Sequence, residues 1–179
     1  MSAVGVAGTF AEGSMTAGFL VSQFSAEHGF FDWGIRYLTD SDIAHVDLVV
    51  PAMVCTGMGK PCNANEMLLG ARLSGGVALR LPTYATFSKT IRVGCNVPDI
   101  DAAYRYAFSQ LGKPYNKMAI LDMLLHRERS FTADQKSWFC DELNYEIYKA
   151  GGTQLLDCSN PLNLTPQEEL LSPLWKPAI

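Results

Sequence analysis

The sequence has few charged residues and lacks any long apolar run. Of its 179 residues, 18% are Asp, Glu, Lys or Arg and 48% are hydrophobic, whereas globular domains typically carry roughly 25% charged residues. A disordered chain has the opposite balance of low hydrophobicity and high net charge. No apolar stretch approaches the roughly 20 residues that span a bilayer. The composition therefore predicts one folded domain with a sizeable core and no transmembrane segment.

The N-terminal segment lacks the features of a signal peptide. Residues 1–20 contain no Lys or Arg and are interrupted by four glycines. A signal peptide needs a positively charged start followed by a continuous apolar stretch. We therefore expect the protein to be cytoplasmic as synthesised.

Neither half of the chain has an excess of basic residues. The net charge is −4, with 6 basic and 7 acidic residues up to Gly94 and 8 basic and 11 acidic residues after it. Binding to a phosphate backbone normally needs a basic surface. We therefore predict no nucleic-acid partner.

The cysteines match neither a disulfide framework nor a zinc site. There are five of them and no C-x-x-C pair, and an odd count with irregular spacing is not typical of either arrangement. Cys55 and Cys62, taken with His45, fit no common ligand spacing. We predict no metal site and no cofactor, and we expect most of the cysteines to be small buried residues.

The chain divides into a Gly/Ala/Ser-rich lead-in (1–17), a patterned domain (18–152) and a Pro-rich tail that wraps the domain (153–179). Apolar and polar residues alternate in the first half of the chain, and apolar residues recur at helical spacing in the second half. Together these patterns predict an α+β fold. The predicted strands are 18–24, 43–50, 67–73, 77–81 and 90–93, with a loop over 51–65. The predicted helices are 30–39, 100–111, 117–126 and 137–150.

Cys140 lies near the start of the last predicted helix. Ser137 is a suitable N-cap, which places Cys140 in the first turn. The free N–H groups and the helix dipole there favour a thiolate and can stabilise an oxyanion formed when that thiolate attacks a carbonyl. The structural alternative is a buried cysteine within an aromatic segment.

His45 is the only histidine inside a strongly patterned strand. A catalytic cysteine and its histidine are neighbours in space rather than in sequence, so His45 is a candidate base for Cys140. Asp47, two residues on, shares its face of the strand and is suited to orient the imidazole. The alternatives are a structural histidine and a solvated carboxylate.

Several segments, taken in order, resemble one family. They are Ala44–Val49 (AHVDLV), Leu69–Arg72 with Gly75–Val77 and Arg80, Leu111–Asn116 (LGKPYN), and Trp138–Leu143 (WFCDEL). They are similar to segments of the circularly permuted papain-fold cysteine hydrolases of the NlpC-like superfamily, in its YiiX/YebB-like branch. The resemblance implies a permuted papain-like fold, in which a small antiparallel sheet or barrel packs against helices.

The resemblance also implies site residues. Cys140 corresponds to the nucleophile and His45 to the general base, acting through a covalent acyl–thiol intermediate. Two positions depart from the family pattern: Asp141 replaces the usual Ser, and Gly70 stands where a polar third residue is common. Asp47, Glu66 and Arg72 are candidate substitutes for that third residue. A side-chain amide often completes the oxyanion site of papain-like enzymes, which makes Gln23 a candidate.

The expected function is that of an amidase or peptidase acting on a peptide, amide or acyl substrate, with cell-wall peptides as the leading substrate. One alternative is a non-catalytic binding or structural module, such as a phage or prophage accessory protein, that retains the fold. A second is a hydrolase or acyltransferase acting on acyl lipids.

Overall fold

The structure, a computed structural model, describes residues 17–28, 34–37, 40–117, 136–157 and 164–178. Ten strands and helices are defined in that part of the chain. They are β1 (Gly18–Glu27), β2 (His45–Pro51), α1 (Ala52–Gly57), β3 (Glu66–Arg72), β4 (Gly76–Arg80), β5 (Phe87–Val97), α2 (Ile100–Ser109), α3 (Cys140–Ala150), α4 (Pro166–Leu170) and β6 (Lys176–Pro177). None of the described helices is long and apolar enough to cross a bilayer.

The six strands form one antiparallel sheet in the order β4-β3-β2-β1-β5-β6. β1 lies near the centre, paired with β2 on one side and with β5 on the other. Three pairings, β1 with β2, β2 with β3 and β3 with β4, connect neighbours in the chain, as is usual for antiparallel sheets. The predicted α+β class is confirmed by this sheet and its helices.

One face of the sheet carries the main hydrophobic core. Leu20 and Phe24 of β1 and Val46 and Leu48 of β2 are fully or almost fully buried there. They belong to the same apolar cluster as the inner side of α3, including Leu143. Because side chains alternate along a strand, the residues on either side of Val46 point to the opposite face.

Helix α2 begins where the sequence suggests. The Asp99 carboxylate accepts a hydrogen bond from the Ala102 N–H at 2.8 Å and so caps the first turn. Ala103, Tyr104 and Ala107 recur at helical spacing on one face of this helix, and all three are buried. Helices α2 and α3 pack against each other on the core side.

Some predicted boundaries are wrong. The segment 51–65, predicted as a loop because of its glycines and prolines, contains helix α1. The last strand before α2 is longer than predicted and spans Phe87–Val97. The predicted helix 30–39 is described only at 34–37, which is helical. The predicted helix 117–126 lies almost entirely outside the described residues.

The C-terminal segment packs onto the domain. Trp175 makes edge-to-face contacts with Phe24 and Tyr148, with ring centroids 5.8 Å and 5.1 Å apart. Its indole N–H donates to the Glu169 carbonyl at 2.8 Å. Strand β6 then joins the edge of the sheet beside β5. This segment therefore covers the end of the core formed by β1 and α3.

Candidate active site

His45 and Asp47 form a buried hydrogen-bonded pair on β2. The His45 Nε2 and Asp47 Oδ1 atoms are 2.9 Å apart, and the two residues are only 5% and 1% exposed. Burial opposes ionisation of the carboxyl, but the electrostatic interaction and hydrogen bond with His45, together with the charge of Arg72, hold the pKa of Asp47 below its usual value. Asp47 is therefore the ionised partner of the imidazole.

Gly70 has no side chain, and the Asp47 carboxylate occupies the space beside it. A Cβ atom on Gly70 would overlap Asp47 Oδ1 and lie 3.0 Å from its Cγ. The register pairs Leu48 with Leu69, so continuing it by one residue places Gly70 opposite Asp47. The hydrolases that the sequence resembles commonly have a polar residue at this position. Here a carboxylate on β2, beside the histidine of the same strand, fills the space instead.

Tyr84, in the loop between β4 and β5, holds the second oxygen of Asp47. Its hydroxyl donates to Asp47 Oδ2 at 2.9 Å. Arg72 donates to the same hydroxyl and to Glu27, and its guanidinium lies 4.7 Å from the Tyr84 ring centroid. Both carboxylate oxygens of Asp47 are therefore bound, which fixes the orientation of the group.

Of the three candidates for the third residue, only Asp47 bonds to His45 in the described part of the chain. Arg72 is connected to Asp47 through Tyr84: it donates to the Tyr84 hydroxyl, which in turn donates to the Asp47 carboxylate. Glu66 accepts a hydrogen bond from Arg92 at 2.6 Å, and the same guanidinium donates to Gln23 Oε1 at 2.9 Å. Gln23, the candidate for the oxyanion site, pairs across the strands with Asp47. Its amide oxygen accepts the hydrogen bond from Arg92.

Cys140 is the first residue of α3. Phe139, and not Ser137 as predicted, occupies the N-cap. The Glu142 carboxylate accepts a hydrogen bond from the Phe139 N–H at 3.1 Å, so the Glu142 side chain reaches back to satisfy this donor at the helix start. Helix α3 packs against β2 and β3, the strands that carry Asp47 and Gly70.

The LGKPYN segment fixes the start of this helix. The Trp138 N–H donates to the Pro114 carbonyl at 3.0 Å, and the Asn116 N–H donates to the Trp138 carbonyl at 2.8 Å. On its other side the segment meets the β3–β4 hairpin, where the Val77 N–H donates to the Lys113 carbonyl at 2.9 Å. These three segments of the family resemblance are therefore neighbours in space.

The surroundings of Cys140 favour the neutral thiol over the thiolate. Burial, followed by the charge of Asp141, raises the pKa of Cys140 well above its usual value, and the backbone N–H groups of Val46 and Asp141 only partly oppose this shift. The predicted preference for a thiolate at the helix start is therefore not met. The charge of Asp47 also raises this pKa, so the thiol lies within electrostatic reach of the pair on β2. Cys140 is 1% exposed, and within the described residues no hydrogen bond joins its sulfur to His45.

Comparison with known proteins identifies a neighbour in fold. No family model and no curated protein matches the chain. Among solved structures, the chain is similar to metalloprotein yiiX from Escherichia coli O157:H7, of DUF1105. The TM-score is 0.60 at 18% sequence identity, over 89% of this chain and 95% of that one. At this identity the likeness shows the fold alone.

That neighbour is described as a metalloprotein, which raises the question of metal ligands in this chain. His45 and Asp47 are bonded to each other, and the carboxylate is further engaged by Tyr84. In the described ranges no group of three or more His, Cys, Asp or Glu side chains is arranged to hold a metal ion. The described residues therefore do not fit a metal centre.

Proposed function

We propose that this protein is a cysteine hydrolase in which Cys140 is the nucleophile, His45 the general base and Asp47 the residue that orients His45. The single observation that carries the proposal is the buried 2.9 Å bond between His45 and Asp47. These two side chains point away from the face on which α3 packs, but the Val46 N–H and the charge of Asp47 both act on the Cys140 thiol, which therefore lies beside this stretch of β2. A base held by a third group, with a candidate nucleophile at a helix start, is the arrangement that activates cysteine in acyl transfer.

The hydrogen bond to Asp47 determines which nitrogen of His45 is the base. With an ionised carboxylate accepting at Nε2, the imidazole carries its proton there, and Nδ1 keeps the free lone pair. Nδ1 is then the atom that takes the proton of the Cys140 thiol. The approach of thiol and imidazole tightens in the substrate complex, as is common for catalytic hydrogen bonds.

The reaction begins as the thiol proton passes to His45 Nδ1 and the sulfur attacks the substrate carbonyl carbon. Backbone N–H groups at the start of α3 stabilise the oxyanion. The carbon–nitrogen or carbon–oxygen bond then breaks, and the leaving group takes the proton from His45. Water, deprotonated by His45, attacks the thioester, the carbon–sulfur bond breaks and Cys140 regains its proton.

The substrate we propose is a peptide or amide, with cell-wall peptides first because of the resemblance to the NlpC-like superfamily. An acyl-lipid ester or thioester would undergo the same chemistry. Cys140 is almost fully buried, so any substrate must displace the residues that cover it.

One observation favours the non-catalytic alternative. Asp141 follows the thiol directly, and its charge raises the pKa of Cys140. A binding module that retains the fold has no need for a thiol of low pKa, and this arrangement is compatible with such a role.

We expect Cys140→Ala and His45→Ala each to remove nearly all turnover, because neither residue can act without the other. The two losses should not add in the double variant. The measurement is hydrolysis of muropeptides, short peptide amides and acyl esters, with covalent acyl adducts followed by intact mass. Cys95→Ser is the matched control, since Cys95 is a buried thiol on β5. Turnover that survives in Cys140→Ala would refute the assignment.

A further inference from the structure

Cys55 and Cys62 lie in one closed segment at the far end of β2. α1 follows β2 directly, and the chain then turns back through Gly59, where φ is +66°. The Lys60 N–H donates to the Cys55 carbonyl at 2.9 Å, and the Ala52 N–H donates to the Asn65 carbonyl at 3.0 Å. These bonds hold residues 52–65 as a compact loop that returns to its starting point.

The two cysteine side chains meet inside this loop. The Cys62 side chain packs against the apolar cluster that contains Cys55, and it lies near enough to Cys55 to raise the pKa of that thiol. The Cys62 thiol also donates to the Ala64 carbonyl at 2.9 Å, which fixes its position. Both cysteines are free thiols. Because backbone hydrogen bonds already close the segment that carries both thiols, and both pack into one apolar cluster, a small movement of the Cys62 side chain is enough to join them.

The two thiols differ in accessibility. Cys55 is fully buried, whereas Cys62 is half-buried. Burial, together with the neighbouring Cys62, raises the pKa of Cys55 to about 11, so Cys55 is a poor attacking group. A reagent therefore meets Cys62 first, and Cys55 is placed to react in the second step.

We propose that Cys55 and Cys62 form a reversible disulfide by exchange with a small disulfide such as oxidised glutathione. The Cys62 sulfur, having lost its proton, attacks the reagent, whose sulfur–sulfur bond breaks and releases one glutathione thiol. The Cys55 sulfur then loses its proton and attacks Cys62, displacing the second glutathione thiol. The protein gives up two protons and two electrons, and the reagent takes up the same number to become two glutathione thiols.

This site is independent of the proposed hydrolase. His45 is at the start of β2, whereas α1 follows its end, so about 20 Å of strand separates them. Cys140 takes no part in the exchange. If no disulfide forms, the hydrolase proposal still stands. If the hydrolase proposal fails, the disulfide proposal still stands.

The test is oxidation of the whole folded chain with glutathione disulfide, followed by alkylation of remaining thiols and mass mapping. We expect a Cys55–Cys62 cross-linked peptide, the loss of two alkylation sites and full reversal by dithiothreitol. Oxidation should also raise Tm by about 5 °C, because the bond constrains the unfolded chain.

Two variants serve as controls. Cys95→Ser should cross-link as the wild type does, whereas Cys62→Ser should keep Cys55 free and show no rise in Tm on oxidation. A glutathione adduct that remains on Cys62 while Cys55 is still alkylated would overturn the proposal. So would a cross-link between any other pair of cysteines.

Discussion

Replacing Gly70 with Ala should lower the free energy of unfolding by about 2–4 kcal/mol, because the new methyl group enters the space of the Asp47 carboxylate. The added Cβ would be far closer to Asp47 Oδ1 than non-bonded atoms allow. The carboxylate cannot simply turn away, since His45 and Tyr84 hold its two oxygens. Chemical denaturation at neutral pH measures the loss.

A double-mutant cycle separates this clash from any general intolerance at position 70. In an Asp47→Ala background the cost of Gly70→Ala should fall close to zero, because the φ of Gly70 is not positive and alanine fits an ordinary strand. We expect a coupling energy of at least about 1.5 kcal/mol. Equal costs in the two backgrounds would show that Asp47 does not fill the space beside Gly70.

Replacing Glu169 with Gln should remove much of the protein's loss of stability between acidic and mildly alkaline pH. Glu169, in α4, is fully buried and accepts one hydrogen bond from the Asn144 amide at 2.7 Å. Its other oxygen, Oε2, has no hydrogen-bond partner among the described residues. Burial raises the pKa of Glu169 to about 8 from 4.5, and the bond from Asn144 only partly opposes the shift.

The direction in which stability changes with pH follows from proton linkage. The folded chain keeps the Glu169 proton while the unfolded chain loses it above about pH 4.5, so stability is complete below that pH and falls until about pH 8. The loss is on the order of 3–5 kcal/mol. Urea unfolding across this range should therefore show a flatter profile for Glu169→Gln than for wild type. Asp157→Asn, at an exposed carboxylate, is the matched control, and parallel profiles for all three proteins would contradict the assignment.

The pattern of period two was sufficient to place His45 and Asp47 on one face of a strand. The sequence could not show that Asp47, rather than Glu66 or Arg72, bonds to His45, because this depends on which residue of β3 lies opposite Asp47. Only the register shows that Gly70 stands there and leaves room for the carboxylate. A glycine in a strand interior that faces a buried acid is a signal that can be sought in other sequences.

Other features were hidden for different reasons. Tyr84 lies in a loop without periodicity, so nothing in its neighbourhood indicates contact with Asp47. Helix α1 was missed because Gly57 and the Gly and Pro residues after it are typical of loops, yet the helix ends at the first of them. The raised pKa of Cys140 reflects burial and the charge of Asp141, and burial of a single residue is decided by packing across the whole domain.

The most direct test of the Cys140–His45 pair is the rate at which iodoacetamide alkylates Cys140, read by peptide mass for that cysteine alone. Because burial protects Cys140, the comparison is between variants and not with the other thiols. We predict that His45→Ala slows alkylation of Cys140 by at least about tenfold at neutral pH, since the base that removes its proton is lost. Asp47→Asn should slow it less, and Cys95→Ser should leave it unchanged. An identical rate for Cys140 in wild type and His45→Ala would contradict the pair.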